Sequence, residues 1–297
     1  MGKRILLYLL SNLAAALTVC VVVTILSAVA FARNPMDVPL IWVALGSLLW
    51  GVGGSLLSLL LSRWFAKKAL GVRRLDGKAG DNDLDWVYDR VQSLARQRSL
   101  PMPEVGTYES PEVNAFTIGS TRKRSLVAVS SGLVRNMSRQ EQTAVLAHEL
   151  THIANGDMVT MTLLQGVVNA FVLSFTRLAA SLVRRRPKAP RVSVVSSAIR
   201  VVLEVVLGML SGIVAAKFSR GREFRADAGA AEIVGREPMV AALRQLVRTR
   251  ERVDGSQPAL LCFKIGGSSG WFDALATHPS LERRIAALDQ ISPQPAA

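Results

Sequence analysis

Hydrophobic positions in this chain fall into long uncharged runs separated by stretches of shorter period. Residues 5–32 and 40–61 carry no charged side chain, and each is long enough to cross a bilayer as a helix. The first is too long, and too soon followed by the second, for a cleaved signal peptide. Together they read as a transmembrane hairpin with its turn at Arg33-Asn34-Pro35, and Trp42 and Trp64 sit near the two ends of its second leg. Residues 82–99 switch to a helical period, with Leu84, Val87, Val91, Leu94 and Ala95 on one stripe. Beyond Pro101 and Pro103 come three β-prone runs at 104–108, 113–118 and 125–130. Ser138-Arg139-Gln140-Glu141 is a capping box, which opens a helix that Asn155-Gly156 ends or bends. A second apolar pair follows at 158–183 and 192–218, and then helical patterns at 219–234, 238–253 and 279–290. A glycine-rich link at 266–270 separates the last two. Four segments result: 1–62, the N-terminal hairpin; 63–157, small sheet and helices; 158–218, the second hairpin; 219–297, a helical remainder. The expected fold class is a mainly α integral membrane protein with an α+β domain that the second hairpin interrupts.

Charge changes this picture little. The 297 residues carry a net charge of +14, which invites a nucleic-acid reading. Its placement argues against one. Lys3 and Arg4 precede the first run, and Arg63, Lys67, Lys68, Arg73, Arg74 and Lys78 follow the second. Such flanks mark cytoplasmic ends and meet anionic lipid head groups, and no nucleic-acid motif is present. Cys20 and Cys262 are too far apart in character for a disulfide framework or a thiolate metal site, which fits a reducing compartment. The second pair has a weaker claim to span. Its connector, 184–191, holds five positive charges, and Arg177, Arg200 and Glu204 lie within the apolar segments. Arg200 and Glu204 are four apart and can neutralise one another; a substrate or proton role is the sharper alternative. Gly208 and Gly212 offer a face for close helix packing.

The candidate chemistry starts at His148-Glu149-Leu150-Thr151-His152. Positions four apart share a helix face, so both imidazoles reach one metal ion, and Glu149 beside them can hold the water it activates. A catalytic zinc site needs a third protein ligand and one open position. Two candidates lie downstream. Glu223 sits in Ser219-Arg220-Gly221-Arg222-Glu223-Phe224-Arg225-Ala226-Asp227-Ala228-Gly229-Ala230-Ala231, and His278 is the remaining histidine. Asp227 is one turn after Glu223, so one can bind metal while the other orients a ligand histidine. The small residues around them suit close packing against the His148 helix. Residue chemistry favours Glu223 and leaves His278 open. An exposed face with Arg220 paired to Glu223 is the plain alternative. Either way the intervening apolar pair crosses the membrane twice or not at all, returning Glu223 to the side of the histidines.

The sum of these motifs resembles the HtpX family of membrane-bound zinc metalloproteases, relatives of the CAAX prenyl proteases. Asn114-Ala115-Phe116, the His148–His152 motif, the 219–231 motif and His278-Pro279 leading into Arg284-Ile285 occur in that order. The resemblance implies a gluzincin-type α+β metalloprotease domain, one Zn2+ held by His148, His152 and Glu223, and Asp227 as supporting carboxylate. It implies Glu149 as general base and His278 as transition-state stabiliser. It also implies unfolded or membrane proteins as substrates, cleaved from the cytoplasmic face of the inner membrane during envelope stress. Gly221 and Thr117 depart from the usual pattern without removing a needed group, and the extended H-E-x-x-H-x-x-G-x-x-H form is absent. His278 precedes Pro279 at an expected helix start, while Tyr8, Tyr88 and Tyr108 offer no evident oxyanion donor. Asn114, Ala115 and Phe116 could pair with an extended substrate as an added strand, or be plain sheet core; the resemblance favours binding. Two other classes compete. A scaffold with a closed structural metal site lacks a fourth ligand unless His278 serves, and a transporter built on Arg200 and Glu204 leaves the 219–231 motif unexplained.

Overall fold

The computed structural model describes residues 40–184, 190–256 and 278–290, with side chains at 46 and over 48–176, 201–249 and 278–290. The expected first span at 5–32, both cysteines, Arg177, Arg200 and the glycine-rich link fall outside the residues whose side chains are described. The chain divides into a first unit, Met1–Ser47, and a second, Leu48–Ala297. Of the first, only the start of a helix is described.

In chain order the elements are α1 (Leu40–Leu70), β1 (Arg73–Leu75), α2 (Asn82–Gln97), β2 (Glu104–Tyr108), β3 (Ala115–Thr121) and β4 (Arg124–Ser130). They continue with α3 (Ser131–Asn136), α4 (Arg139–Asn155), α5 (Asp157–Arg184), α6 (Pro190–Val234), α7 (Arg236–Ser256) and α8 (Leu281–Asp289). The sheet order is β1-β2-β4-β3. β2 runs parallel to β4, and the other two pairings are antiparallel. Central β4 is buried along nearly its whole length, whereas β3 is half-buried and has no strand on its outer edge among the described residues.

One core joins sheet and helices. Val87, Val91 and Leu94 of α2 meet Val105, Val127 and Val129 of the sheet, and α4 adds Leu146, Leu150 and Ile153. Met239 and Leu243 of α7 and Leu288 of α8 close the other side. Helix α4 is therefore buried almost all round. Its capping box forms as the sequence predicts, with Ser138 and Glu141 each satisfying the other's backbone N–H. Gly156, at φ 68°, ends the helix in the left-handed conformation that glycine adopts without strain.

Among the described residues, three helices are long and apolar enough to cross a membrane, within Leu48–Leu70, Asp157–Thr176 and Val201–Val234. They turn large side chains outward: Leu49, Leu57, Leu60 and Phe65 on α1, Leu163, Val167, Phe171 and Phe175 on α5, and Val202, Val205 and Leu210 on α6. Exposed apolar surface on this scale is expected where lipid is the solvent. Gly51 and Gly166 bring α1 against α5 so closely that a Cβ on Gly51 would lie 2.7 Å from the Ala170 nitrogen.

Three expectations need correction. The apolar run ending at Phe218 and the helical pattern beginning at Ser219 are one continuous helix, α6, so the boundary drawn at 218/219 falls mid-helix. Only the surroundings change there, from lipid-exposed to buried. Strand β1 and the six-residue α3 are additional elements. Finally, α8 begins at Leu281 with Ser280 as its N-cap, so Pro279 precedes the helix instead of opening it.

Candidate metal centre

Helix α4 presents His148 and His152 one turn apart, with ring centroids 4.7 Å from one another. Their Nε2 atoms lie 3.1 Å apart. From α6, the Glu223 carboxylate reaches both, 3.6 Å from His148 Nε2 and 3.6 Å from His152 Nε2. One ligand atom from each of His148, His152 and Glu223 lies within 4.8 Å of the others. This approach depends on small residues. Ala226 and Ala230 are fully buried, and a Cβ on Gly229 would stand 2.7 Å from Thr151 Cγ2.

Each histidine is fixed from behind. His148 Nδ1 donates to Asp227 Oδ1 at 2.9 Å, and His152 Nδ1 donates to Asp157 Oδ2 at 2.6 Å. A carboxylate only accepts, so each Nδ1 carries a proton, and Nε2, turned towards Glu223, is the atom left to bind a cation once it gives up any proton of its own. Arg284 of α8 grips Asp227 with two bonds, Nε to Oδ2 at 2.7 Å and Nη2 to Oδ1 at 2.6 Å. Two imidazole lone pairs and a carboxylate facing one point, with each imidazole backed by another carboxylate, is a donor set that fits a divalent cation.

The electrostatics agree. Burial pushes the His148 imidazole down, but the carboxylates of Asp227 and Glu223 outweigh it and raise it to about 9. Burial pushes Glu223 up, and the His148 and His278 rings more than offset this, holding its carboxyl far below the usual range. Asp227 is likewise lowered against its burial, by Arg284 and then His148. A cation at this point replaces the positive charge that protonated His148 otherwise supplies.

Glu149 is buried beside the pair, and its backbone carbonyl accepts a hydrogen bond from Thr117 Oγ1 of β3 at 3.3 Å. This bond ties the edge strand to α4. Asn114 just precedes β3 and is exposed, while Ala115 and Phe116 open the strand half-buried. His278 is not part of the three-ligand group. Its Nδ1 lies 3.2 Å from Glu223 Oε2, and its side chain is 63 % exposed, so it stands at the open side of the centre. Sequence reasoning gave no role to Asp157, which follows a helix break, or to Arg284. For Arg284 the only signal was its place in the motif after His278-Pro279.

Fold and site together define a membrane-bound metalloprotease. Residues 82–292 match the peptidase family M48. The chain is 42 % identical to "Protease HtpX" of Tolumonas auensis, over 97 % of this chain and 99 % of that protein. It is 44 % identical to "Protease HtpX" of Aeromonas hydrophila, over 96 % and 99 %. A crystal structure of S. mikatae Ste24p shares the fold with a TM-score of 0.67 at 18 % identity, covering 97 % of this chain and 67 % of that one. The chain belongs to peptidase family M48, in its HtpX group.

Proposed function

We propose that this protein is a zinc-dependent endopeptidase of the inner membrane that cleaves misfolded or membrane proteins at its cytoplasmic face, in membrane protein quality control. The observation that carries the reading is the convergence of His148, His152 and Glu223, each within reach of one ion and each anchored on a buried element. Zn2+ suits this mixed nitrogen and oxygen set; when bound, it lowers the pKa of a water molecule and polarises the substrate carbonyl.

The chain's own residues supply the rest. Glu149 accepts the proton of the attacking water and delivers it to the departing amine, help worth about 10²–10⁴ in rate. His278, exposed at the open side where substrate arrives, donates to the oxygen that gains negative charge. The unpaired edge of β3 takes the substrate as an added strand through backbone bonds near Asn114, Ala115 and Phe116, which admits many sequences. Such tolerance suits unfolded chains. The basic residues after α1 support a cytoplasmic orientation.

The test compares the wild-type protein with Glu149→Gln, in detergent with zinc, on an unfolded protein substrate. The expected result is unchanged zinc content and a loss of cleavage of about 10²-fold or more. Equal cleavage by both proteins overturns the assignment of Glu149.

A further inference from the structure

A second polar cavity lies outside the metal centre, at the end of the sheet nearest the membrane spans. Its volume is about 270 Å³, several times the ~30 Å³ of a water molecule in the liquid. Arg63 of α1, Arg74 of β1, Lys123 of the β3–β4 turn, Tyr88 of α2, and Glu104 and Ser125 supply its polar lining. Three separate parts of the fold thus bring three cations to one hollow.

Its charge is unbalanced. Glu104 is the acid in the lining, and it is already engaged by Arg63 and Lys67, both on α1. Burial pushes its carboxyl up, but those two cations prevail and hold it below its ordinary value. Arg74 and Lys123 are exposed at the rim and have no acidic partner among the described residues. A hollow with surplus guanidinium and ammonium groups suits a phosphate, to which arginine offers a forked pair of donors.

Its height relative to the bilayer decides the source of that phosphate. Helices α1 and α5 cross where Gly51 meets Gly166 and Ala170. From Gly51 to Arg63 is about 18 Å along α1, and from Gly166 back to Asp157 about 14 Å along α5, at 1.5 Å per residue. Half of a bilayer's hydrocarbon core is about 15 Å. Gly51 is at the centre of the uncharged run 40–61, and with that crossing at the midplane Arg63 and the start of α5 reach the edge of the apolar layer on the same side. Arg122, beside Lys123, binds the Ala154 carbonyl at the end of α4, which fixes the turn to that level as well. Trp64, exposed with Lys68 5.1 Å above its ring, is an interface residue of the same helix end.

We propose that this cavity binds the phosphate of an anionic phospholipid head group, seating the sheet on the membrane surface. The site is independent of the metal centre and of the protease reading.

The test uses the full-length Glu149→Gln protein in neutral-lipid nanodiscs and in detergent, so that self-cleavage does not interfere. Binding of phosphatidylglycerol is measured by native mass spectrometry, and inorganic phosphate is titrated separately as the soluble alternative. Arg74→Gln with Lys123→Gln is compared with a charge-matched control, Arg244→Gln with Arg248→Gln, on the exposed face of α7. The expected result is a fall of about tenfold in phosphatidylglycerol binding for the first pair and little change for the control. Unchanged zinc content in both verifies folding. Saturable inorganic phosphate binding that the first pair abolishes, with no lipid retained, overturns the lipid source. Equal loss in both pairs, or loss in neither, overturns the site.

Discussion

Helices α4 and α5 are separated by a single residue, Gly156, and invert one another's pattern. α4 carries Gln142, His148, Glu149, Thr151 and His152 in its buried interior, while α5 turns Leu163, Val167, Phe171 and Phe175 outward. The difference lies in the solvent each meets. In α4, polar groups are enclosed by protein and every one must find a partner. In α5, lipid accepts the apolar surface, and Thr162 and Thr176 satisfy their hydroxyls on the helix's own carbonyls. α6 combines both regimes in one rod, with Val202 and Val205 outside and Glu223 and Asp227 inside.

Substitutions on the two sides of this divide should differ sharply. The largest effect is expected for Glu223→Ala, which removes a ligand from the enclosed group. Bound zinc should fall from one per chain to near none, by metal analysis, and cleavage with it. Gly229→Val should follow, because a side chain there collides with Thr151. An overpacking penalty of about 1–3 kcal/mol should appear as lowered thermal stability, with weakened metal binding as α4 and α6 part. Next come the supports behind the histidines: Asp157→Asn and Arg284→Met should each reduce zinc affinity about 10–100-fold in a chelator competition. Arg284→Lys should recover only part of this, since it cannot grip both oxygens of Asp227.

The pH dependence of zinc uptake sharpens the same comparison. His148 is raised to about 9 without metal, so a proton must leave its Nε2 before a cation can bind. Glu223, held low, releases none. Affinity should therefore rise with pH, by about tenfold per unit below 9, and level off above it. The support that charged His148 gives the metal-free fold has the opposite trend: it is complete below the ordinary histidine pKa and disappears as pH rises through about 9. The smallest effect is expected on the lipid side. Phe171→Leu keeps an apolar surface towards the bilayer and should leave zinc content unchanged and stability within about 0.5 kcal/mol.

How far the sequence reveals each part follows from the range of the interactions involved. His148, Glu149 and His152 are legible because a helix fixes their relation within five residues. Strands β2 and β4 are legible because both read as short β-prone runs, and their observed bounds differ from 104–108 and 125–130 by at most one residue. Asp157 is close in sequence, but Gly156 breaks the helix between it and His152, so helical spacing says nothing about their contact. Arg284 lies 136 residues from His148, and only tertiary packing brings it to Asp227. β1 has two arginines in three residues, which read as a membrane flank although they pair with Gly106 and Thr107. The continuity of α6 is hidden by the change of composition at Ser219, where hydropathy falls but backbone hydrogen bonding does not.

The placement of the three ligands on both sides of the α5–α6 hairpin also has a consequence for synthesis. The histidines leave the ribosome about seventy residues before Glu223, and the hairpin lies between them. A nascent chain therefore lacks its third ligand until Glu223 has emerged and α6 has packed against α4. The full set of three ligands is thus a property of the finished fold, since any chain that stops before α6 holds two of them at most.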